Sequence, residues 1–320
     1  LISRMAAELF EENQVKVVEG DASVAAYLTA LPFDHIFFTG SPAVGKLIMK
    51  AAAENLTSVT LELGGKSPAI VTSSARLEDA AERIAVAKFF NCGQTCIAPD
   101  YILVEEKVAD ALVTQLKEKV MQRFTTNSEP LRDSVHYTRL ASQKHWLRMN
   151  AMLEDALSKG ANVAFGGEVR EADRFFHPTI LTNVSSDSRL MEEEIFGPIL
   201  PIITYTNLQQ ALQIVNNKPK PLALYIFAQQ KAEINQVMQA TSSGAACVNE
   251  CAVHFLNNHL PFGGVNNSGT GSTHGHYGFL AFSHTKPVMK QRNGFTSIKP
   301  LYPPYTKMAK RLMDFVLKMF

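Results

Sequence analysis

The sequence has no run approaching the roughly 20 consecutive apolar residues that a bilayer-crossing helix needs, so its apolar content goes into a packed core. Net charge is almost absent. Thirty-one basic and 30 acidic residues leave a formal +1, scattered along the chain, which excludes a strong field toward nucleic acid or an anionic membrane. Cysteine is scarce: Cys92, Cys96, Cys247 and Cys251 form two pairs of equal spacing, neither of them the CxxC of a zinc site or a thioredoxin, so no metal site is expected. Four such cysteines fit a reduced, cytoplasmic compartment. There is no internal repeat, no low-complexity tract and no initiating methionine. The opening LISRMAAELFEEN reads as an amphipathic helix to about Glu12 rather than a signal peptide, and the chain is expected to begin mid-protein.

What is present is an ordinary globular composition, with 46% hydrophobic residues in 320, large enough for one or two domains. Residues 1–65 alternate helix and strand: VKVVEG (15–20), HIFFTG (35–40) and SVTLEL (58–63) read as strands with helices between them. That rhythm predicts a parallel sheet covered by helices, hence an α/β fold. After Gly64 and Gly65 a second α/β series starts with SPAIVTS and YILVEE. It passes through paired strands in 160–184 and ends with PILPIITY, LALYIFA and AACVNE. From His259 the texture becomes glycine- and asparagine-rich, LPFGGVNNSGTGSTHGHYG, a segment suited to close backbone approach. The expected organisation is therefore a cofactor-side domain over 1–65, a catalytic domain over 66–258, and a return segment with a tail over 259–320.

Four segments carry candidate chemistry. FFTGSPAVGK places Gly40, Ser41, Pro42, Ala43, Val44 and Gly45 between a strand and a helix start, where free N–H groups and the helix dipole favour phosphate. Gly40, Gly45 and Lys46 fit most of a P-loop, but Leu47 stands where Mg²⁺ requires Ser or Thr, and the dinucleotide fingerprint GxGxxG is absent. In NCGQTC, Cys96 falls where the chain leaves a helix; to act as a nucleophile it must become a thiolate, and a small buried apolar cysteine is the alternative. In LELGGKSP, Glu62 lies in a strand that reads as buried, where burial would raise a carboxyl toward the range of a general base; a solvent-facing strand end is the alternative. In MEEEIFGPILP, Glu192 and Glu193 suit a solvated helix end, whereas Glu194 and Phe196 set a carboxylate beside an aromatic ring, able to hold a ribose and support a ring.

In this order the four segments resemble the aldehyde dehydrogenase superfamily, and the spacing from Glu62 to Cys96 resembles its class 3 branch. VTLELGGKSP is similar to the family's glutamate signature and FFNCGQTCIAPDYILV to its cysteine signature. FFTGSPAVGK and EEEIFGP resemble its cofactor contacts, and LPFGGVNNSGTG and GFLAFSHTKP its late class 3 motifs. The resemblance implies two α/β domains, with a Rossmann-like cofactor domain incomplete on its amino-terminal side. It implies a soluble homodimer acting on a small-molecule aldehyde with NAD or NADP. Residue by residue, it makes Cys96 the nucleophile and Glu62 the base that activates hydrolytic water. Gly40, Ser41, Val44 and Gly45 lie along the cofactor, Glu194 on the nicotinamide-side ribose and Phe196 beside the ring. The family's oxyanion asparagine and adenosine-ribose lysine lie upstream of anything matched here. Asn266 stands where glycine is usual and Thr273 where an aromatic is common; Cys247 and Cys251 read as core packing.

Two other readings stand beside this one. The first is a non-catalytic remnant acting as a dimer partner or binding module; the second is a P-loop-like nucleotidase using Lys46, which Leu47 opposes. The tail MAKRLMDFVLKMF is too short to span a bilayer. Its Leu312, Phe315, Val316 and Phe320 beside Lys and Arg suit a helix docked on a partner subunit, with a membrane surface as the alternative.

Overall fold

The computed structural model describes residues 1–126 and 129–319. The helices are α1 (Ile2–Leu9), α2 (Ala22–Thr29), α3 (Pro42–Ala53), α4 (Leu77–Phe89), α5 (Ala109–Phe124), α6 (Gln143–Ser158), α7 (Arg189–Glu192), α8 (Leu208–Asn216), α9 (Lys231–Ala240), α10 (Gly275–Ala281) and α11 (Lys307–Met319). The strands are β1 (His35–Gly40), β2 (Ser58–Leu63), β3 (Pro68–Val71), β4 (Tyr101–Glu105), β5 (Asn162–Phe165), β6 (Val169–Arg170), β7 (Phe175–Phe176), β8 (Thr179–Thr182), β9 (Ile199–Tyr205), β10 (Ala223–Phe227), β11 (Ala245–Val248) and β12 (Gly269–Thr270). The chain divides into two compact units, residues 1–282 and 283–320.

The larger sheet of the first unit has seven strands in the order β11-β10-β3-β4-β9-β8-β5, all parallel to their neighbours except β5. Helix-covered parallel strands are buried on both faces, which is why β3 and β10 read as unbroken apolar runs and are buried at every position. Their core continues into α4, whose Ala80, Ala81, Ile84, Ala85 and Phe89 form its buried stripe, and into α5 through Leu112, Leu116 and Val120. The two buried cysteines outside the site, Cys247 and Cys251, belong to this core, as the packing reading expects.

The smaller sheet holds β1, β2 and β12, with β1 parallel and β12 antiparallel to β2. Its own small core is Ile36, Ile48, Ala52, Leu61 and Leu63. The strand expected over 15–20 does not form, and every one of those residues is exposed. A strand needs a neighbour to take its backbone donors and acceptors, and the described sheet ends at β1. The first helix is also shorter than expected, closing at Leu9, and α1 and α2 bury no residue. The link from β2 to β3 is only residues 64–67, so the chain passes from the small sheet to the large one through Gly64, Gly65, Lys66 and Ser67.

The second unit holds α11, on which Leu312, Phe315 and Val316 are exposed beside Lys310 and Arg311; Phe320 lies outside the described residues. Among the described residues, no helix is long and apolar enough to cross a membrane.

Candidate active site

The site lies where the carboxyl ends of β1 and β2 meet the amino ends of β3, β4, β9 and β10. A cavity of about 910 Å³ opens there, lined by Gly40, Ser41, Pro42 and Ala43 from the end of β1 into α3, Glu62 through Lys66 from the end of β2 onward, Gln94 to Cys96 before β4, Glu192 to Glu194 and Phe196 before β9, and Pro219 and Lys220 before β10. The structure thus brings Cys96, Glu62, Glu194, Phe196 and the 40–43 loop together. Val44 is 42% exposed and Gly45 is buried, and neither lines this cavity.

The loop after β1 is shaped by its helix cap. Ser41 is the N-cap of α3, its hydroxyl accepts from the Val44 N–H at 3.4 Å, and Pro42 occupies the first turn where no donor is missed. Gly45 lets α3 lie on β2, since a Cβ there would come within 2.7 Å of the Leu63 side chain.

Cys96 follows three consecutive residues in the left-handed region, Asn91, Cys92 and Gly93. Two of them are not glycine, and each such residue stores roughly 1–3 kcal/mol that the surroundings must offset. Gln94 supplies much of that restraint. Its side-chain amide donates to Asn91 O at 3.0 Å and Arg139 O at 3.2 Å, and its carbonyl accepts from the Ala141 N–H at 2.8 Å. Cys92 points inward, its Sγ 3.3 Å from the Tyr137 hydroxyl, which donates to Phe176 O at 2.8 Å. Gly93 leaves no room for a Cβ, which would stand 2.3 Å from Gly197 O, so this loop packs directly on the segment carrying Glu194.

That segment is held from two sides by residues the sequence reading did not single out. From β3 and β4, the buried Lys66 ammonium pairs with Asp100 and donates to Leu190 O at 2.6 Å and Glu193 O at 3.0 Å, while Asp100 accepts from the Ile195 N–H at 2.8 Å. From α6, Arg148 donates to Ile195 O at 2.9 Å and to Glu194 O, and the His145 ring bonds Phe196 O at 2.7 Å. Lys66 sits in the very motif that supplied Glu62, and a lysine beside two glycines inside an apolar stretch was the available signal. His145 and Arg148, three apart on one helix face, gave none.

Carboxyls and cations share the cavity wall, Glu62, Glu192, Glu193 and Glu194 with Lys66, Arg148 and Lys220. Burial pushes Glu194 up to about 7; Asp100 adds to the rise and the Gly65 N–H opposes it. Glu194 lies so close to the backbone that a Cβ on Gly64 would stand 2.1 Å from its Oε2. Burial raises the Cys96 thiol to about 11; Glu194 and, less, Glu62 add to the rise, against the N–H groups of Cys96 and Ile97. Glu62 is half-buried rather than buried, because it stands at the carboxyl end of β2, where the sheet gives way to the cavity. Its Oε1 accepts from the Thr273 hydroxyl. Below the site, Lys88 is fully buried, and desolvation lowers it to about 8.

Residues 1–288, which carry the strand-to-helix loop, the cysteine turn and the carboxylates of this cavity, match the family model described as aldehyde dehydrogenase family. The chain belongs to the aldehyde dehydrogenase family. It is 46% identical over 314 residues to the probable coniferyl aldehyde dehydrogenase of Pseudomonas aeruginosa, matching 98% of this chain and 64% of that protein. It is 43% identical over 305 residues to mouse aldehyde dehydrogenase family 3 member A2, with 95% of this chain and 61% of that protein matched, in keeping with a class 3-like branch. The chain therefore spans less than two thirds of the length of these relatives. Among solved structures, the substrate-bound state of Staphylococcus aureus AldH superposes with a TM-score of 0.91 at 42% identity, covering 98% of this chain and 67% of that one. The betaine aldehyde dehydrogenase of the same organism, in complex with NAD+, gives 0.78 at 28% identity, covering 87% of this chain and 56% of that one. The α/β architecture read from the sequence is that of these aldehyde dehydrogenases.

Proposed function

We propose that this chain carries the reacting groups for oxidising an aldehyde to a carboxylic acid with NAD or NADP. The observation that carries the reading is the convergence of Cys96, Glu62 and the 40–43 loop on one cavity of about 910 Å³, at the upper end of ordinary ligand sites. The residues suit the cofactor. The capped start of α3 offers free N–H groups to a phosphate, the Glu194 carboxyl offers an acceptor to ribose hydroxyls, and the Phe196 ring, 38% exposed, offers a face to a planar ring. When bound there, the cofactor supplies the acceptor for one hydride.

The chain's own groups do the rest. Cys96 is a thiol at rest, so its proton must leave before the sulfur attacks the aldehyde carbon; Glu62, on the same cavity, is the base for that step. Sulfur–carbon bond formation gives a thiohemiacetal, and loss of hydride from that carbon leaves a thioester on Cys96. Glu62 gives the cysteine proton up to solvent and then takes a proton from a water that attacks the thioester; the carbon–sulfur bond breaks, the acid leaves, and the sulfur takes that proton from Glu62 to return as the thiol. Residues 1–65 form the cofactor side of this scheme, 66–258 the catalytic side and 259–320 the return segment and tail. The class 3 resemblance favours an apolar aldehyde, medium-chain or aromatic. Four free cysteines suit a reduced, cytoplasmic compartment, and a second copy of the chain is the assigned partner. The test is nicotinamide reduction followed at a fixed aldehyde concentration before and after iodoacetamide treatment, with the modified residue mapped. Loss of turnover on alkylation of Cys96, and in Cys96→Ala, is expected. Turnover that survives full alkylation of Cys96 overturns the reading.

A further inference from the structure

We infer that Thr273 is a positioning residue for Glu62, holding its carboxyl in place whether or not it carries a proton. This rests on the role proposed for Glu62. Thr273 sits on the glycine-rich return segment, remote in sequence from the base. The backbone route between them is short. Glu62 pairs with Gly269 of β12, and the Leu63 N–H donates to Ser268 O at 3.1 Å, so the return segment forms the outer strand beside β2. Gly269 makes that approach possible, since a Cβ there would stand 2.3 Å from Leu61 O and its φ is +148. Four residues on, Thr273 is clamped at both backbone groups: its N–H donates to Phe262 O at 2.6 Å, and its carbonyl accepts from the Phe262 N–H at 3.0 Å. The residue is 8% exposed, so its side chain is fixed by its backbone and its packing.

The hydroxyl then has two acceptors, Glu62 Oε1 and, at 3.3 Å, Phe262 O. It has one proton to give. When Glu62 is a carboxylate, the hydroxyl donates to it and leaves Oε2 free to meet water. When Glu62 has taken a proton, the hydroxyl turns its own proton to Phe262 O and offers a lone pair to the carboxylic acid. A hydroxyl serves both states; a methyl serves neither, and a half-buried carboxylate without this partner is free to swing out of line with the thioester. Misplacement of that order costs up to about 100-fold in a reaction that depends on orientation.

The experiment follows p-nitrophenyl acetate, which acylates a cysteine with release of one nitrophenolate per site and then turns over only as fast as water clears the acyl group. In the unaltered chain, a burst that Cys96→Ala abolishes and a slower steady phase that Glu62→Gln suppresses are expected. Thr273→Val should keep one nitrophenolate per site in the burst while slowing its rise, because Glu62 also takes the Cys96 proton, and should slow the steady phase by roughly 10- to 100-fold; Thr273→Ser should restore both. In a Glu62→Gln background, Thr273→Val should change nothing further. Thr273→Ala, which adds no methyl against the carboxyl, should reproduce Thr273→Val and guards against a folding defect specific to the valine. No burst in the unaltered chain overturns the Cys96 reading and this inference with it. A normal burst with an unchanged steady phase in Thr273→Val or Thr273→Ala overturns the Thr273 role alone, as does failure of Thr273→Ser to restore the rate.

Discussion

Replacing Glu194 by glutamine should flatten part of the pH dependence of stability. Its carboxyl is raised from 4.5 to about 7 in the folded chain, chiefly by burial. A group whose folded value is raised stabilises the fold while protonated, and that contribution is lost as pH climbs from the unfolded value through the folded one. Taking 1.36 kcal/mol per pH unit, this one carboxyl lowers stability by roughly 2–3 kcal/mol between pH 5 and pH 8. Glu194→Gln keeps the shape and removes the titration. Urea unfolding can be followed through the only tryptophan, Trp146, which is 5% exposed and donates its indole N–H to Phe175 O at 3.1 Å. All other titrating groups are common to both chains and cancel in the comparison. The variant should unfold near the unaltered chain at pH 5 and at markedly higher urea at pH 8. Parallel midpoints across that range would refute a buried, proton-holding Glu194.

Iodoacetamide should alkylate Cys96 slowly at pH 8 and faster toward pH 11, since burial and two carboxylates hold it as a thiol up to about 11; Glu194→Gln should speed the reaction at pH 8, as the mapped adduct would report. Lys66→Met leaves Asp100 buried without its cation, a break that typically costs about 3–5 kcal/mol, readable as a lower urea midpoint. Gly64→Ala and Gly93→Ala should differ in kind. The first meets the movable end of Glu194 and should alter Cys96 reactivity with little loss of stability. The second meets the backbone of Gly197 at a φ of +73 and should lower the unfolding midpoint by well over the roughly 1 kcal/mol of an ordinary glycine change.

Much of this was legible in the sequence because the signals were local. Apolar runs gave the strands of the large sheet, β3 and β10 among them. The reading of 15–20 as a strand failed for a non-local reason: alternating valines suit a strand, but pairing is supplied by a neighbour. Likewise LELGGK drew attention to Glu62, while nothing local announced the rise at Glu194, which comes from burial, with the charge of Asp100 adding to it and Gly64 packed against the carboxyl. Thr273 could be noticed only as an oddity; that its hydroxyl reaches Glu62 across 211 residues is a property of β12.

The two sheets meet this cavity from opposite ends, and that asymmetry explains the division of labour. Parallel sheets ordinarily bind ligands beyond their carboxyl ends, where helix starts present free N–H groups. The small sheet does this with the loop from β1 to α3. The large sheet presents its amino ends, where the segments entering β4 and β9 bring no helix dipole toward the cavity. It brings side chains instead: Cys96, Glu194 and Phe196, each on a segment fixed by hydrogen bonds from Gln94, Lys66, Asp100 or Arg148. With no helix start and no cation bonded to its sulfur, Cys96 stays protonated at neutral pH, and two carboxylates reinforce this. If Cys96 is the nucleophile as proposed, it is made only when a base is held beside it, and the proposal then places the burden of reactivity on the position of Glu62 and on the Thr273 hydroxyl bonded to it.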